Sequence, residues 1–393
     1  MNITSCRFCA SPIKPVLDLG RIPLVNYFPS KSEINAQKTY PLRLVSCDSC
    51  GLLQLDEIVQ AKDIFSTYHY VTGASEPLIR ELSDLADGLI KTRKLTKKNR
   101  VLDIGSNDGT LLSFFHAKGI QVLGVEPSLE LSNYARKRKI ETLNTFFTKD
   151  VAKQIVRTYG QCDVVCATHV LANIIDLADF MDGIRFVLHP NGVCVIEVAD
   201  AQVMIQNGQF DAIYHEHYSY FSSKTLDKIA SDHNLYIQTI THSDVQGGAI
   251  RIELTHVTER SNKRTYAPVD LREFAKKVND YKKKFISLLE TFKGKKIVGF
   301  GAPAKSVTFT SFMGLFEKEI SYIVDSTVQK QGRFLPGTTI LIYPQTYLTI
   351  DPPDVVIIFS WNYKDAVTAT LTQSLKKGTI VITPFPSLLV ETI

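Results

Sequence analysis

Short apolar segments alternate with longer segments of helical periodicity over most of this 393-residue chain. One alternating section begins at Val101, and its predicted strands are Val101–Ile104, Val122–Val125, Val164–Ala167 and Val193–Val198. A second begins at Lys296, with predicted strands Ile297–Phe300, Ile320–Val324, Thr339–Ile342, Val355–Phe359 and Thr379–Ile382. Strands that alternate with helices form βαβ units around a parallel sheet. The predicted fold class is therefore α/β with two Rossmann-like domains.

These patterns divide the chain into four regions. More than one domain is expected, because a chain of this length is too long to fold around a single hydrophobic core. Residues 1–60, which contain the cysteine pairs Cys6/Cys9 and Cys47/Cys50, are predicted to form a zinc-binding module. Residues 61–98 are predicted to form a connector with an amphipathic helix at Pro77–Ile90. Residues 99–270 form the central Rossmann-like domain. Residues 271–393 combine a linker helix, Leu271–Phe292, with the C-terminal Rossmann-like domain.

The first 50 residues contain two C-x-x-C pairs, which consist of Cys6, Cys9, Cys47 and Cys50. Each pair can place two thiolates ~2.3 Å from one zinc ion, and two pairs complete a tetrahedral site. Four thiolates leave no open ligand position, so a structural role is expected for the metal. The alternative is unpaired core cysteines, which is what we expect of Cys162, Cys166 and Cys194. Two identically spaced pairs favour zinc.

The turn after the Val101 strand, Asp103-Ile104-Gly105-Ser106-Asn107-Asp108-Gly109-Thr110, predicts the cofactor. A dinucleotide-binding turn has glycine at the position that Asn107 occupies here, because only glycine lets the backbone approach the pyrophosphate closely. Asp108 would place negative charge beside such phosphates. A ligand without phosphate that carries a sulfonium and an ammonium group tolerates acidic neighbours, which favours S-adenosylmethionine (SAM). The alternative is a glycine turn that binds no ligand.

The rest of the predicted SAM site lies at the carboxyl ends of other strands, where doubly wound sheets bind ligands. Glu126 ends the next strand and can accept hydrogen bonds from the ribose hydroxyls. Asn144 and Phe146 are expected to flank the adenine, and Thr168 and His169 to face the methyl group. The predicted cofactor-binding residues are Asp103, Gly105, Asn107, Asp108, Glu126, Asn144, Phe146, Thr168 and His169.

The segment Tyr214-His215-Glu216-His217-Tyr218 is the densest run of titratable side chains in the chain. Histidine titrates near neutral pH, so it can serve as a base and later as an acid. The alternative is a metal site, because His215 and His217 would share one face of a strand. Chemistry by proton transfer is the favoured interpretation, since no third ligand is apparent.

These motifs together resemble the deoxysugar C-methyltransferases, which use SAM to methylate C3 of nucleotide-linked 4-keto-6-deoxyhexoses. The resemblance covers nearly the whole chain. It rests on the two cysteine pairs, the Asp103–Thr110 turn, Tyr214–Phe221, Gln246–Arg251, Gly299–Ser306, Lys330–Gly337 and Ser360–Asn362.

The resemblance implies roles for individual residues. His217 matches the base that takes the C3 proton, Tyr214 and Glu216 match residues that support it, and Tyr70 matches a tyrosine that enters the site from outside the central domain. Asn173 departs from the family pattern, because many members have histidine there. A catalytic role at position 173 is therefore not expected.

The C-terminal domain opens with the glycine-containing turn Gly299–Ser306 after a predicted strand. The helix N-terminus and Lys305 suit a diphosphate, although a structural glycine turn is the alternative. The resemblance implies a nucleotide-sugar cleft between the central and C-terminal domains. The residues expected to line it are Arg251, Lys305, Ser306, Trp361 and Asn362.

The net charge of the chain and the length of its apolar segments indicate which binding partners to expect. A net charge of +5 is small for a nucleic-acid-binding protein, so no nucleic-acid partner is expected. No apolar run reaches the roughly 20 residues of a membrane span, and the first residues lack a secretory signal. A cytoplasmic enzyme with no membrane partner is expected; the oligomeric state is open, with a monomer favoured. The second functional hypothesis is a zinc-ribbon methyltransferase that acts on RNA or protein, and the third is a non-catalytic scaffold.

Overall fold

The computed structural model describes residues 3–60, 71–74, 76–257, 265–266 and 269–393. The N-terminal region folds around three antiparallel strands, β1 (Ile13–Pro23), β2 (Thr39–Cys47) and β3 (Leu53–Leu55). The helix α1 (Glu76–Arg93) leads into the central domain and buries one stripe of leucines against it. This helix extends beyond the predicted Pro77–Ile90 at both ends.

The central domain alternates strands and helices as predicted. Its elements are β4 (Arg100–Ile104), α2 (Thr110–Ala117), β5 (Gln121–Val125), α3 (Leu129–Lys137), β6 (Thr142–Leu143), α4 (Lys149–Tyr159), β7 (Cys162–Thr168), α5 (Leu177–Val187), β8 (Leu188–Ala199), α6 (Ala201–Gln206), β9 (Ser219–Tyr220), α7 (Ser223–Asp232), β10 (Tyr236–Ser243) and β11 (Ala249–Thr255).

Seven of these strands form one sheet in the order β10-β11-β8-β7-β4-β5-β6. The strands from β8 to β6 are parallel, whereas β10 and β11 are antiparallel additions. Strand β4 is buried between helices on both faces of the sheet, which explains its continuous apolar sequence. The carboxyl ends of β4, β5 and β7 therefore meet at one edge of the sheet.

The C-terminal region begins with α8 (Leu271–Glu290), which buries Phe274, Val278, Phe285 and Leu289 along one face. The remaining elements are β12 (Ile297–Phe300), α9 (Ala304–Met313), β13 (Ile323–Val324), β14 (Ile342–Tyr343), α10 (Tyr347–Ile350), β15 (Val355–Ile358), α11 (Lys364–Ser374), β16 (Ile380–Thr383) and β17 (Leu389–Thr392). They build a second sheet in the order β14-β13-β12-β15-β16-β17, parallel except for its last strand.

The N-terminal strands do not form a separate lobe. Strand β9 of the central domain adds to their sheet, which has the order β1-β2-β3-β9. Leu17 and Leu42 of this sheet share one buried cluster with Phe210, Val307 and Phe309. The N-terminal sheet is thus packed between the central and C-terminal domains.

The predicted α/β class is confirmed, and most differences concern the ends of elements. Strands β13 and β14 are shorter than predicted, and β8 is longer, since it begins at Leu188. The lysines of α8 at positions 276, 283 and 284 are exposed, as expected for a solvated helix face. Within the described part of the chain, no helix is both long and apolar enough to cross a membrane.

Candidate active site and metal centre

The four cysteines of the two C-x-x-C pairs converge on one point. Sγ of Cys6 lies 3.5 Å from that of Cys50, and Sγ of Cys9 lies 3.4 Å from that of Cys47. None of the four forms a disulfide. A zinc ion with four thiolates at ~2.3 Å holds its sulfur atoms roughly 3.8 Å apart, so the cluster is close to a tetrahedral site.

Two matching turns create this cluster. The residue after each pair, Ala10 or Gly51, has a positive φ, and its N–H donates to the carbonyl of the first cysteine of its pair at 2.9 Å. Each turn thereby presents its two thiols to the same side. The cysteines also lie in the buried cluster beneath the central sheet, which fits a structural metal.

A cavity of about 370 Å³ lies where the three regions meet. Its walls come from Asn26 between β1 and β2, the carboxyl ends of β4, β5 and β7, the segment between α6 and β9, and the start of α9. The residues that the sequence predicted and that line this cavity are Asp103, Gly105, Asn107, Glu126, Phe146, Thr168, His169, Tyr214, Glu216, His217, Lys305 and Asn362.

The turn after β4 forms one end of the cavity. Gly105 has φ +71°, and a Cβ there would lie 2.9 Å from the Val170 side chain, so only glycine fits. Asp103 is buried and its Oδ1 has no hydrogen-bond partner among the described residues. Burial, with the nearby charge of Glu126, raises the pKa of Asp103. A cationic ammonium group would satisfy this orphaned acceptor.

Glu126 is the second acidic residue at this end of the cavity. Its carboxylate accepts the N–H groups of Asn107 at 3.0 Å and Ser128 at 2.8 Å, which fix its orientation. Burial raises its pKa in spite of these two bonds. Because each carboxylate oxygen has a second lone pair, Glu126 can still accept bonds from ribose hydroxyls. The donor set at this end suits SAM.

The opposite wall carries His217 and Tyr214. The hydroxyl of Tyr214 lies 2.8 Å from Nε2 of His217. Burial is the main cause that lowers the pKa of His217 to about 3, and the charges of His169 and Lys305 act in the same direction. The imidazole is therefore neutral at physiological pH, and its hydrogen bond with the phenol orients the ring.

Glu216 precedes His217 in the chain and contacts the turn between β1 and β2. Nδ2 of Asn26 lies 2.8 Å from both carboxylate oxygens. Burial raises the pKa of Glu216 to about 7, although the Asn26 bond opposes that shift. Asn26 itself lines the cavity, and no sequence motif drew attention to it.

The alternative metal site at His215, Glu216 and His217 is not formed. The segment is a turn rather than a strand, so its side chains diverge. His215 is buried, and its Nε2 lies 3.1 Å from the carbonyl of Pro41. Burial lowers the pKa of His215 to about 4.

Five predicted binding residues do not line the cavity. Asp108 is directed toward α3, where it pairs with Arg138 at 3.1 Å, and Asn144 donates to the backbone of the loop after β5. Ser306 is buried and donates to the Pro303 carbonyl. Trp361 lies behind the ammonium of Lys305, which sits 4.1 Å from the ring centroid, and Arg251 pairs with two glutamates beneath the cavity. Tyr70 lies outside the described residues.

Lys330 is a second cation in the cavity wall that the sequence did not single out. Its Nζ donates to the Ala302 carbonyl at 2.9 Å and lies 5.0 Å from the Phe28 ring centroid. Burial lowers its pKa. The position falls within the Lys330–Gly337 segment of the family resemblance, but nothing in that segment distinguishes this lysine from a surface residue.

We expect one zinc ion per chain by elemental analysis. Cys47→Ser should lose this zinc and melt at a lower temperature, because the metal supplies folding free energy. Cys194→Ala, which changes a buried cysteine of β8 outside the cluster, should keep the zinc. A folded wild-type protein without metal would contradict the assignment.

We expect Asp103→Asn and Glu126→Gln each to weaken SAM binding by about 10- to 100-fold in titration calorimetry. A hydrogen bond to a charged group contributes about 1.5–3 kcal/mol, which corresponds to that range. Glu130→Gln, an exposed change on α3, is the matched control and should bind SAM like the wild type. Unchanged affinity in both cavity variants would exclude SAM from this end of the cavity.

The chain matches known proteins along almost its full length. Residues 6–65 match the family described as "Putative zinc binding domain", residues 74–240 a methyltransferase domain, and residues 239–386 a C-methyltransferase C-terminal domain. The C-methyltransferase NovU of Streptomyces niveus is 30% identical over 98% of this chain and 96% of its own.

Solved structures are similar to less than half of the chain. Magnesium protoporphyrin IX methyltransferase from Synechocystis with bound SAM is 13% identical, covers 46% of this chain and 79% of its own, and has a TM-score of 0.35. A SAM-dependent methyltransferase from Clostridium acetobutylicum is 13% identical, covers 45% of this chain and 91% of its own, and has a TM-score of 0.36. With the near-full-length relative and the three family matches, the chain belongs to the SAM-dependent C-methyltransferases that carry an N-terminal zinc-binding domain.

Proposed function

We propose that the protein methylates C3 of a nucleotide-linked 4-keto-6-deoxy sugar and that His217 is the base. The observation that carries this proposal is the neutral imidazole of His217 in the same cavity as the acidic turn after β4. Carbon is a poor nucleophile until it loses a proton, and a neighbouring ketone makes that proton acidic. A C-methyltransferase therefore needs a base beside the methyl donor.

His217 has the properties that such a base requires. Its imidazole stays unprotonated at neutral pH, and the Tyr214 hydroxyl, 2.8 Å from Nε2, orients the ring in the cavity wall. The imidazole takes the C3 proton, and the electron pair of the C–H bond moves into the enolate. Bound SAM supplies an electrophilic methyl group on a positively charged sulfur. The cavity walls hold the two reactants in line, which replaces an encounter in solution.

Glu216 and Asn26 are proposed to bind the sugar. A carboxyl group that titrates near pH 7 accepts a hydrogen bond from a hydroxyl when ionised and donates one when protonated. Sugars offer both donors and acceptors. Asn26 keeps the carboxyl plane fixed, so that a ring hydroxyl meets it in one orientation.

Two lysines in the cavity wall are evidence that the sugar is linked to an anionic nucleotide. Nζ of Lys305 donates to the carbonyl of Gln246 at 2.8 Å, and Nζ of Lys330 donates to that of Ala302. Among the described residues, neither lysine forms an ion pair with a carboxylate. Both line the cavity beside the N-terminus of α9, which favours anions. A diphosphate would neutralise both charges.

The position of the N-terminal sheet favours a small substrate over RNA or protein. Its cysteines and leucines are buried against the other two domains, and Asn26 of this region reaches the cavity. A zinc ribbon that grips a macromolecule would instead present its surface to solvent. The zinc module is therefore proposed to build the substrate site rather than to recruit a separate partner.

The substrate assignment is tested with SAM that carries a labelled methyl group. The enzyme is incubated with thymidine-, guanosine- and cytidine-linked 4-keto-6-deoxy sugars, and the products are examined by mass spectrometry and NMR. We expect one sugar to gain a methyl group on C3. Labelled RNA or protein with no labelled sugar would overturn the substrate assignment.

His217→Asn is expected to lower turnover by about 10²- to 10⁴-fold, which is the usual contribution of general base catalysis. SAM affinity should stay within about twofold, since the groups assigned to SAM belong to the acidic turn after β4 and to Glu126. His233→Asn, on a histidine that pairs with Asp182 outside the cavity, is the control. Turnover of His217→Asn at the wild-type rate would exclude this imidazole as the base.

A further inference from the structure

Four charged or titratable side chains meet beneath the cavity, on elements that are distant in sequence. Glu81 lies on α1, His169 follows β7, Glu197 lies on β8 and Arg251 on β11. Nε of Arg251 is 2.5 Å from Glu197, and its Nη2 is 3.0 Å from Oε1 of Glu81. Nε2 of His169 is 2.9 Å from Oε1 of Glu197. We call these four residues the inner network.

The inner network carries a net negative charge unless one of its groups binds an additional proton. Arg251 neutralises one of the two carboxylates. Oε2 of Glu81, Oε1 of Glu197 and Nε2 of His169 are buried and have no aligned hydrogen-bond partner among the described residues. Burial, followed by the charge of Glu197, raises the pKa of Glu81 to about 7. Burial alone would raise the pKa of Glu197, but His169 and Arg251 outweigh it and hold that pKa near 2.

A metal ion is a poor occupant of this cluster, although Glu81, His169 and Glu197 each offer a ligand atom within 4.8 Å of the others. The guanidinium of Arg251 already binds both carboxylates. A divalent cation there would lie against a fixed positive charge. An exchangeable proton satisfies the same acceptors without that repulsion.

The inner network extends from the cavity wall to a partly exposed glutamate on α1. His169 lines the cavity wall, and its backbone N–H donates to the Glu197 carbonyl at 2.8 Å. Glu81, at the other end, has a side chain that is 13% exposed. The further titratable groups that face the network are His217 across the cavity and the thiol of Cys166 near Arg251.

The proposed reaction releases one proton that must leave this cavity. The C3–H bond breaks and its proton goes to His217; the C3–CH3 bond forms with the enolate electron pair, and the sulfur keeps the pair of the S–CH3 bond. One proton is therefore left on a buried imidazole for each methyl group transferred. His217 cannot act again until it has lost that proton.

We propose that His169, Glu197 and Glu81, held in place by Arg251, are a proton-transfer network that receives the proton from His217 and passes it to solvent. This inference rests on the proposed function, because the proton is the one that carbon methylation releases. His169 accepts the proton from the cavity and releases one from Nε2 to Glu197, and Glu197 passes it to Glu81, with which it shares a side-chain hydrogen bond. Glu81 then exchanges the proton with water. Arg251 is a positioning residue, since it holds the two carboxylates in place.

The coupling within the network is tested without substrate. The protein is labelled with ¹⁵N-histidine, the His169 ring signals are assigned with His169→Asn, and their shifts are followed from pH 5 to 9. We expect the His169 signals to shift near pH 7 as Glu81 changes its protonation state, and Glu81→Gln to remove that shift. Glu253→Gln is the control, because Glu253 lies on β11 two residues from Arg251 but pairs with Arg93. Signals that follow the same pH profile in wild type and Glu81→Gln overturn the proposal.

The role in turnover is tested with the panel sugar that the wild type methylates. Glu81→Gln is expected to lower the steady-state rate about tenfold and the rate of the first turnover by less than threefold, because only later turnovers need an emptied base. Equal losses in both rates would overturn proton export. If the wild type methylates no sugar, the proposed function fails; a wild type that methylates but shows no Glu81-dependent transition contradicts the network alone.

Discussion

The pairing of β3 with β9 joins the zinc-binding sheet to the turn that carries His217. Leu53 and Gln54 pair with Tyr220 and Ser219, and the turn Tyr214–His217 directly precedes β9. Strand β3 in turn begins three residues after Cys50. A metal that fixes the cysteines therefore fixes the strand against which the turn of His217 is aligned. Residues 1–60 shape the proposed active site through this alignment as well as through Asn26.

Several further contacts hold the same turn. The hydroxyl of Tyr218 donates to the Val59 carbonyl at 2.9 Å, and the guanidinium of Arg7 contacts the Tyr218 carbonyl at 2.6 Å. On the other side, Thr308 of α9 donates to the Ile213 carbonyl at 2.9 Å. Because these contacts come from both neighbouring domains, the imidazole is held at a fixed depth, where burial keeps it neutral. The cavity lining also combines charges of both signs, with Asp103 and Glu126 from the central domain and two lysines from the C-terminal domain.

The sequence predicted the features that depend on local pattern. Strand β4, which carries Asp103, is buried on both faces, so its mainly apolar sequence and the glycine turn after it were recognisable. The spacing of the cysteine pairs was equally informative. What the sequence could not reveal depends on contacts between distant segments: that Asn26 reaches Glu216, that Lys330 shares a wall with Lys305, and that Tyr214–His217 is a turn. Arg251 was expected at the substrate, but its two carboxylate partners on α1 and β8 hold it beneath the cavity.

The central claim is that His217 makes a sugar carbon nucleophilic, and hydrogen exchange at that carbon tests it most directly. The enzyme is mixed with the 4-keto sugar and S-adenosylhomocysteine, which has no methyl group to transfer, in deuterated water. The account predicts that the enzyme exchanges the C3 hydrogen for deuterium and that His217→Asn does not. Absence of exchange in the wild type, or equal exchange in the variant, would contradict it.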